Sequence, residues 1–133
     1  MYSDDAIIAF LCEPPATWGH TLVVTRSHRD DLWATQREEA AAAMEVARRL
    51  AHVMRGDLDA IGVNLRQNSG RRAGQDVFHF HLHVVPRYEN DTVLPGCVWG
   101  MPPWKPPRGG DSERRRVADA LRSGLAGDSL GLE

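Results

Sequence analysis

The stretch VFHFHLHVVPR, residues 77–87, alternates histidine with large apolar residues, and this alternation fixes a secondary structure before anything else is known. Successive side chains of a strand point to opposite faces, whereas a helix would scatter the same pattern around its circumference. As a strand over 77–85 closed by Pro86, it places His79, His81 and His83 on one face. Phe78, Phe80, Leu82 and Val84 fall on the other and call for a covering layer. Same-face neighbours sit roughly 6.5–7 Å apart, so three imidazoles can converge on one small group.

A cover for the apolar face lies upstream. Thr35 and Glu38 form a capping-box pattern ahead of an alanine-rich segment. Ala43, Val46, Ala47, Leu50, Val53 and Met54 share one helical face, Glu45 and Arg49 are spaced as an i,i+4 pair, and Gly56 suits the helix stop. AIIAFLCE (6–13) and HTLVVTR (20–26) read as strands joined by a Pro/Gly connection, hence an antiparallel hairpin. DAIGVNLRQ (59–67) is a further strand and NSGRRAGQD (68–76) a loop of turn formers. Residues 93–110 hold five prolines, Cys97, Trp99 and Trp104 without a period, and read as irregular. Asp111 or Ser112 caps a last short helix carrying Val117, Ala120 and Leu121, with a loose tail after Gly124. The order β-β-α-β-β-α predicts one α+β domain over residues 1–133 with an antiparallel sheet.

Totals narrow the partners. A net charge of −2 favours neither nucleic acid nor an anionic membrane. Cys12 and Cys97 lack the spacing of a metal ribbon or a disulfide framework. No apolar run reaches membrane-spanning length and the N-terminus lacks signal-peptide features, so a cytoplasmic protein with reduced thiols is expected.

The residues alone leave three readings of the histidine face: a metal site, nucleophilic chemistry at phosphorus, or surface histidines with no chemistry. The preceding loop favours the second. Its glycines, Arg71, Arg72, Asn68 and Gln75 suit donors to anionic oxygens, and few carboxylates or thiolates lie near.

The run HFHLHVV resembles the His-φ-His-φ-His-φ-φ signature of the histidine triad (HIT) family. GHTLVVTRSH (19–28) and NSGRRAGQDVFHFHLHVVPR (68–87) extend the resemblance, which is strongest over 6–90 and looser over the arm and helix of 91–133. It implies a HIT-like fold of about five strands, one long helix and a short C-terminal helix. It implies a homodimer with sheets joined across the two-fold axis, a nucleotide substrate containing AMP or GMP, and no cofactor or metal. The reaction implied is hydrolysis or transfer at the α-phosphorus of a nucleoside phosphoramidate, a dinucleoside polyphosphate or an adenylylated compound.

By the same resemblance His81 is the nucleophile, its tautomer fixed by the carbonyl of His79. His83 and His20 contact phosphate oxygens, Asn68 and Gln75 are amide donors to the phosphate or leaving group, and Phe10 lines the base pocket. Clustered imidazoles oppose one another's protonation, which suits a neutral nucleophile. Two positions depart from the family pattern. Cys12 stands where an Asp or Asn usually meets the ribose, and strand alternation aims Glu13 at the opposite face. Asp76 stands where a Ser or Thr is common, and is expected to face an amine-bearing leaving group. Trp99, Trp104 or the partner subunit are expected to help cover the base. Two other readings remain: a nucleotide-binding regulatory protein with little turnover, and a metal-binding protein using the histidine cluster.

Overall fold

Five strands build one antiparallel sheet: β1 (Tyr2–Ser3), β2 (Ile7–Leu11), β3 (Thr21–Thr25), β4 (Gly62–Arg66) and β5 (His81–Arg87), in the spatial order β1-β2-β3-β5-β4. The computed structural model describes residues 2–91 and 111–126. The expectations for 93–110, with Cys97, Trp99 and Trp104, lie outside the described residues.

The hairpin of β2 and β3 pairs Ala9 with Val23, and β3 then pairs Val23 with Leu82 of β5. These residues, with Ile7 and Val84, are buried on one face. Helix α1 (Arg37–Asp57) covers that face with Ala43, Val46, Ala47, Leu50, Val53 and Met54, all buried as the periodicity predicts. Full burial of a side chain such as Leu50 stabilises the fold by about 1.5–3 kcal/mol. Helix α2 (Asp111–Ala126) packs on the outside of α1 through Val117, Leu121 and Leu125. At Gly124 the helices approach so closely that an added Cβ would fall 3.1 Å from Val53 Cβ and closer still to its methyls. Ala120 is half-buried, and α2 continues past Gly124 to Ala126.

Several boundaries differ from the sequence pattern, each for a tertiary reason. The capping box sits one residue later, on Gln36 and Glu39: the Gln36 N–H donates to Glu39 Oε1 at 2.8 Å. Arg29 selects that register, because its Nε donates to both oxygens of Glu39 at 2.9 and 3.2 Å. Glu45 takes Arg48 rather than Arg49 as its partner, while the guanidinium of Arg49 lies over the Tyr2 ring. Gly56 is inside α1, and the turn out of the helix falls at Leu58 and Asp59, where Asp59 has φ 58°.

The histidine strand starts late. Residues 77–80 lie outside the ladder, because β3 ends at Thr25 and the Phe80 N–H goes to the carbonyl of Arg29 at 2.6 Å instead. Phe80 still enters the core, but Phe78 does not: it is 38% exposed and carries the Arg71 guanidinium over its ring. β5 also runs through Pro86, which sits opposite Val63. Within an antiparallel strand a residue's N–H and C=O point the same way. The Pro86 carbonyl accepts from Thr17 Oγ1, so its missing N–H faces a place where β3 has already ended.

Candidate active site

The second face of the sheet is uncovered among the described residues and carries most of the side chains expected to form the site. Cross-strand register lines up Phe10, Leu22, His83 and Arg66 in one row, with Ile8, Val24 and His81 in the next. Apart from Ile8, these rows floor a cleft of about 680 Å³, within the range of small-molecule sites. Phe10, Cys12, Leu22 and Val24 give it an apolar end, and His79, His81, His83, Arg66, Asn68 and Asp76 a polar one.

Each imidazole is held by a distinct partner. The Nδ1 of His81 lies 2.8 Å from the carbonyl of His79. A carbonyl only accepts, so Nδ1 carries the proton and the lone pair of the neutral ring is on Nε2. His79 directs its Nε2–H to the carbonyl of Thr25 at 2.8 Å, and His28 packs edge-on against it with centroids 5.0 Å apart.

His20 lies behind the cleft, buried, rather than among the residues that line it. The Ala16 N–H donates to His20 Nδ1 at 2.9 Å, so the proton of neutral His20 is on Nε2. That Nε2–H points at His83 Nδ1, 2.9 Å away, which puts the proton of neutral His83 on its own Nε2. One backbone amide thereby sets the tautomers of two rings. Burial, and then the neighbouring His83, push the pKa of His20 down to about 3. Burial, then His81 and Arg66, push His83 down to about 4, against a smaller upward pull from Asp76. Gly19 makes this placement possible: its φ is 88°, and a Cβ there would meet Leu58 Cδ1 at 2.9 Å.

The loop before β5 works differently from the expectation. Gln75 is buried, and its amide is committed to backbone. Its Oε1 accepts from the Gly70 N–H at 2.7 Å, and its Nε2 donates to the carbonyls of Asp30 and Val77 at 2.6 and 3.1 Å. Gln75 therefore clasps the loop and is not among the residues that line the cleft. Asn68 does line it, with its Oδ1 accepting from Arg66 Nε at 3.0 Å. Arg71 and Arg72 are exposed outside it. The cleft's arginine is Arg66, from β4, which the sequence pattern did not single out because its value depends on cross-strand register.

Both departures from the family pattern line the cleft. Burial, more than the nearby Glu13, pushes the Cys12 thiol up, and its Sγ donates to the Pro14 carbonyl at 3.6 Å. Glu13 lines the cleft too, contrary to the alternation argument, because β2 ends at Leu11 and alternation ends with it. Its carboxylate pairs with Arg114 of α2. Asp76 is exposed at the cleft and does not turn away from it.

The tightest set of metal-ligand atoms among the described residues is Cys12, His20 and His83, within 4.8 Å of one another, rather than His79, His81 and His83. The wiring does not suit a metal. His20 Nε2 carries the proton that a metal would have to displace, and the Ala16 N–H at Nδ1 opposes the other neutral tautomer.

The HIT domain family model matches residues 1–90. Over 99 residues the chain is 35% identical to Protein hit of Bacillus subtilis, covering 74% of this chain and 68% of that one. It is 38% identical over 128 residues to an uncharacterized HIT-like protein of Mycobacterium tuberculosis, covering 95% and 83%. The crystal structure of a zinc-bound histidine triad family protein from Mycobacterium smegmatis superposes with a TM-score of 0.74 at 36% identity, covering 94% of this chain and 81% of that one.

Proposed function

The chain belongs to the HIT domain family, and from that premise we propose that it is a nucleotide hydrolase or nucleotidyl transferase acting at an α-phosphorus with His81 as nucleophile. The observation that carries this reading is the bond from His81 Nδ1 to the His79 carbonyl, which leaves the Nε2 lone pair for attack on the cleft side. Nε2 forms a bond to phosphorus as the bond to the leaving group breaks. The leaving group departs with the electron pair and takes a proton from solvent. Water then attacks the phosphorus and releases a proton to solvent, the N–P bond breaks and its electron pair returns to Nε2. His83 offers an Nε2–H toward the phosphate oxygens, and Phe10, Leu22 and Val24 offer an apolar seat for a base.

Substrates consistent with this cleft are nucleoside phosphoramidates, dinucleoside polyphosphates and adenylylated compounds built on AMP or GMP. Asp76 at the cleft favours an amine-bearing leaving group among these, because a carboxylate attracts an ammonium and repels a phosphate chain.

The proposed assembly is a homodimer through the outer edge of β4, which among the described residues has β5 as its single neighbour in the sheet and exposes Leu65, with Ile61 exposed just before it. No helix among the described residues is long and apolar enough to cross a membrane, and a cytoplasmic location is part of the proposal.

The test is turnover of an AMP–amine phosphoramidate by wild type and His81→Ala, with acid quenching to trap protein carrying one AMP unit. Wild-type turnover and trapping, both lost in the variant, support the reading. Tight AMP binding without turnover indicates a nucleotide-binding regulatory protein. Turnover abolished by a chelator and restored by zinc indicates a metal-dependent protein instead.

A further inference from the structure

Among the described residues that line the cleft, Arg66 is the one permanent cation. It is the last residue of β4, a strand at the edge of the sheet, rather than part of a loop. Register places it directly across from His83 on the neighbouring strand, at the end of the row that begins with Phe10. Its Nε donates to Asn68 Oδ1 at 3.0 Å, which fixes the plane of the guanidinium and the orientation of the Asn68 amide together. A guanidinium is planar, permanently charged and forked to match two phosphate oxygens at once.

We propose that Arg66 is a phosphate-binding residue of this cleft, engaging the non-bridging oxygens of the reacting nucleotide beside the His83 ring. This rests on the nucleotide reading above and adds a residue to it. Arg66 stands on a strand, so the fold holds its position with little reorganisation when charge develops on those oxygens. Arg71 and Arg72, which sequence proximity to the histidines would nominate, do not line the cleft. The anion therefore sits between β4 and β5, with the base extending along the row toward Phe10.

The arrangement also divides the charges of the cleft. Arg66 and Asp76 act on the His83 ring with opposite sign. Arg66 attracts the phosphate that reacts, while Asp76 disfavours a second phosphate in the leaving group. A substrate with one phosphate and a cationic partner satisfies both.

The experiment is calorimetric titration of wild type, Arg66→Met and Arg66→Lys with AMP and GMP, and with adenosine and guanosine as uncharged controls. The proposal expects Arg66→Met to weaken nucleotide binding about 10- to 100-fold, the range for a hydrogen bond to a charged group, with nucleoside binding unchanged. Arg66→Lys recovers part of the loss, since it keeps the charge without the fork. The salt dependence of AMP binding becomes shallower in Arg66→Met. As an independent readout, removing this cation should raise the titration point of His83 by NMR, with His20, His81 and Asp76 left in place.

Equal weakening of nucleotide and nucleoside, or no weakening of either, overturns the role of Arg66 and leaves the nucleotide reading standing. A folded wild type that binds neither AMP nor GMP overturns both.

Discussion

The imidazole of His20 meets that of His83 nitrogen to nitrogen at 2.9 Å, and the contact requires both rings to be neutral. Protonating His83 at Nδ1 would set an N–H against the Nε2–H of His20, and protonating His20 at Nδ1 would set an N–H against that of Ala16. The depressed values, about 3 for His20 and about 4 for His83, express that cost in a buried place.

The sign of the consequence for stability is definite. Below about pH 6.5 the unfolded chain takes up protons that the folded rings refuse, so stability is full above that pH and falls as the pH drops toward 4. Each ring contributes up to about 1.4 kcal/mol per pH unit. Urea unfolding of wild type at pH 7, 6 and 5 should show a midpoint that drops with acidity. His20→Gln should unfold at a less pH-dependent midpoint, and an identical slope in the two proteins would refute the assignment.

Gln75 closes the loop before β5 with an acceptor for Gly70 and donors for Asp30 and Val77. Gln75→Glu keeps the acceptor but turns a charged oxygen toward two carbonyls. A loss of about 2–4 kcal/mol in unfolding free energy is expected at pH 7, together with a raised KM from a loosened loop. Relative to wild type at the same pH, the variant should recover on acidification, because a protonated carboxyl donates again.

Gly124 tests the packing of α2 on α1. Alanine at a helix position is ordinarily favoured over glycine by about 1 kcal/mol. Here the added methyl meets Val53, so Gly124→Ala should instead lower stability by about 1–2 kcal/mol after that gain. Combining it with Val53→Ala should cost less than the sum of the two single changes, since each relieves the other's defect. Additivity in thermal melts would mean the helices do not touch at this point.

The β4 edge gives an association test. If a second copy pairs there, Ile61→Lys with Leu65→Lys should shift sedimentation from dimer to monomer while the circular dichroism of the fold is kept. Dimers that survive both lysines would move the interface elsewhere.

Much of this architecture was readable from periodicity, because the periodic elements bury one face each. The six apolar positions of α1 all enter the core, and Leu82 and Val84 follow the alternation of β5. What escaped was decided by partners far away in sequence. Thr35 with Glu38 is the better local box, since threonine is a favoured N-cap and glutamine is not, yet Arg29 draws Glu39 into the box with Gln36. The alternation of 77–80 is as regular as that of 81–85, yet no strand among the described residues lies alongside to pair with it. Glu13 was read as pointing away only by extending a strand that stops at Leu11. Gln75, expected to donate to an anion, clasps a loop, and Arg66, with no motif to mark it, lines the cleft.

The sheet described above keeps its structural duties and its chemical ones on opposite sides. Ile7, Ala9, Val23, Leu82 and Val84 anchor α1, while Phe10, Leu22, Val24 and Arg66 face the cleft. Replacements at Phe10, Leu22 or Val24 therefore reshape the cleft while the buried contacts that hold α1 to the sheet stay in place.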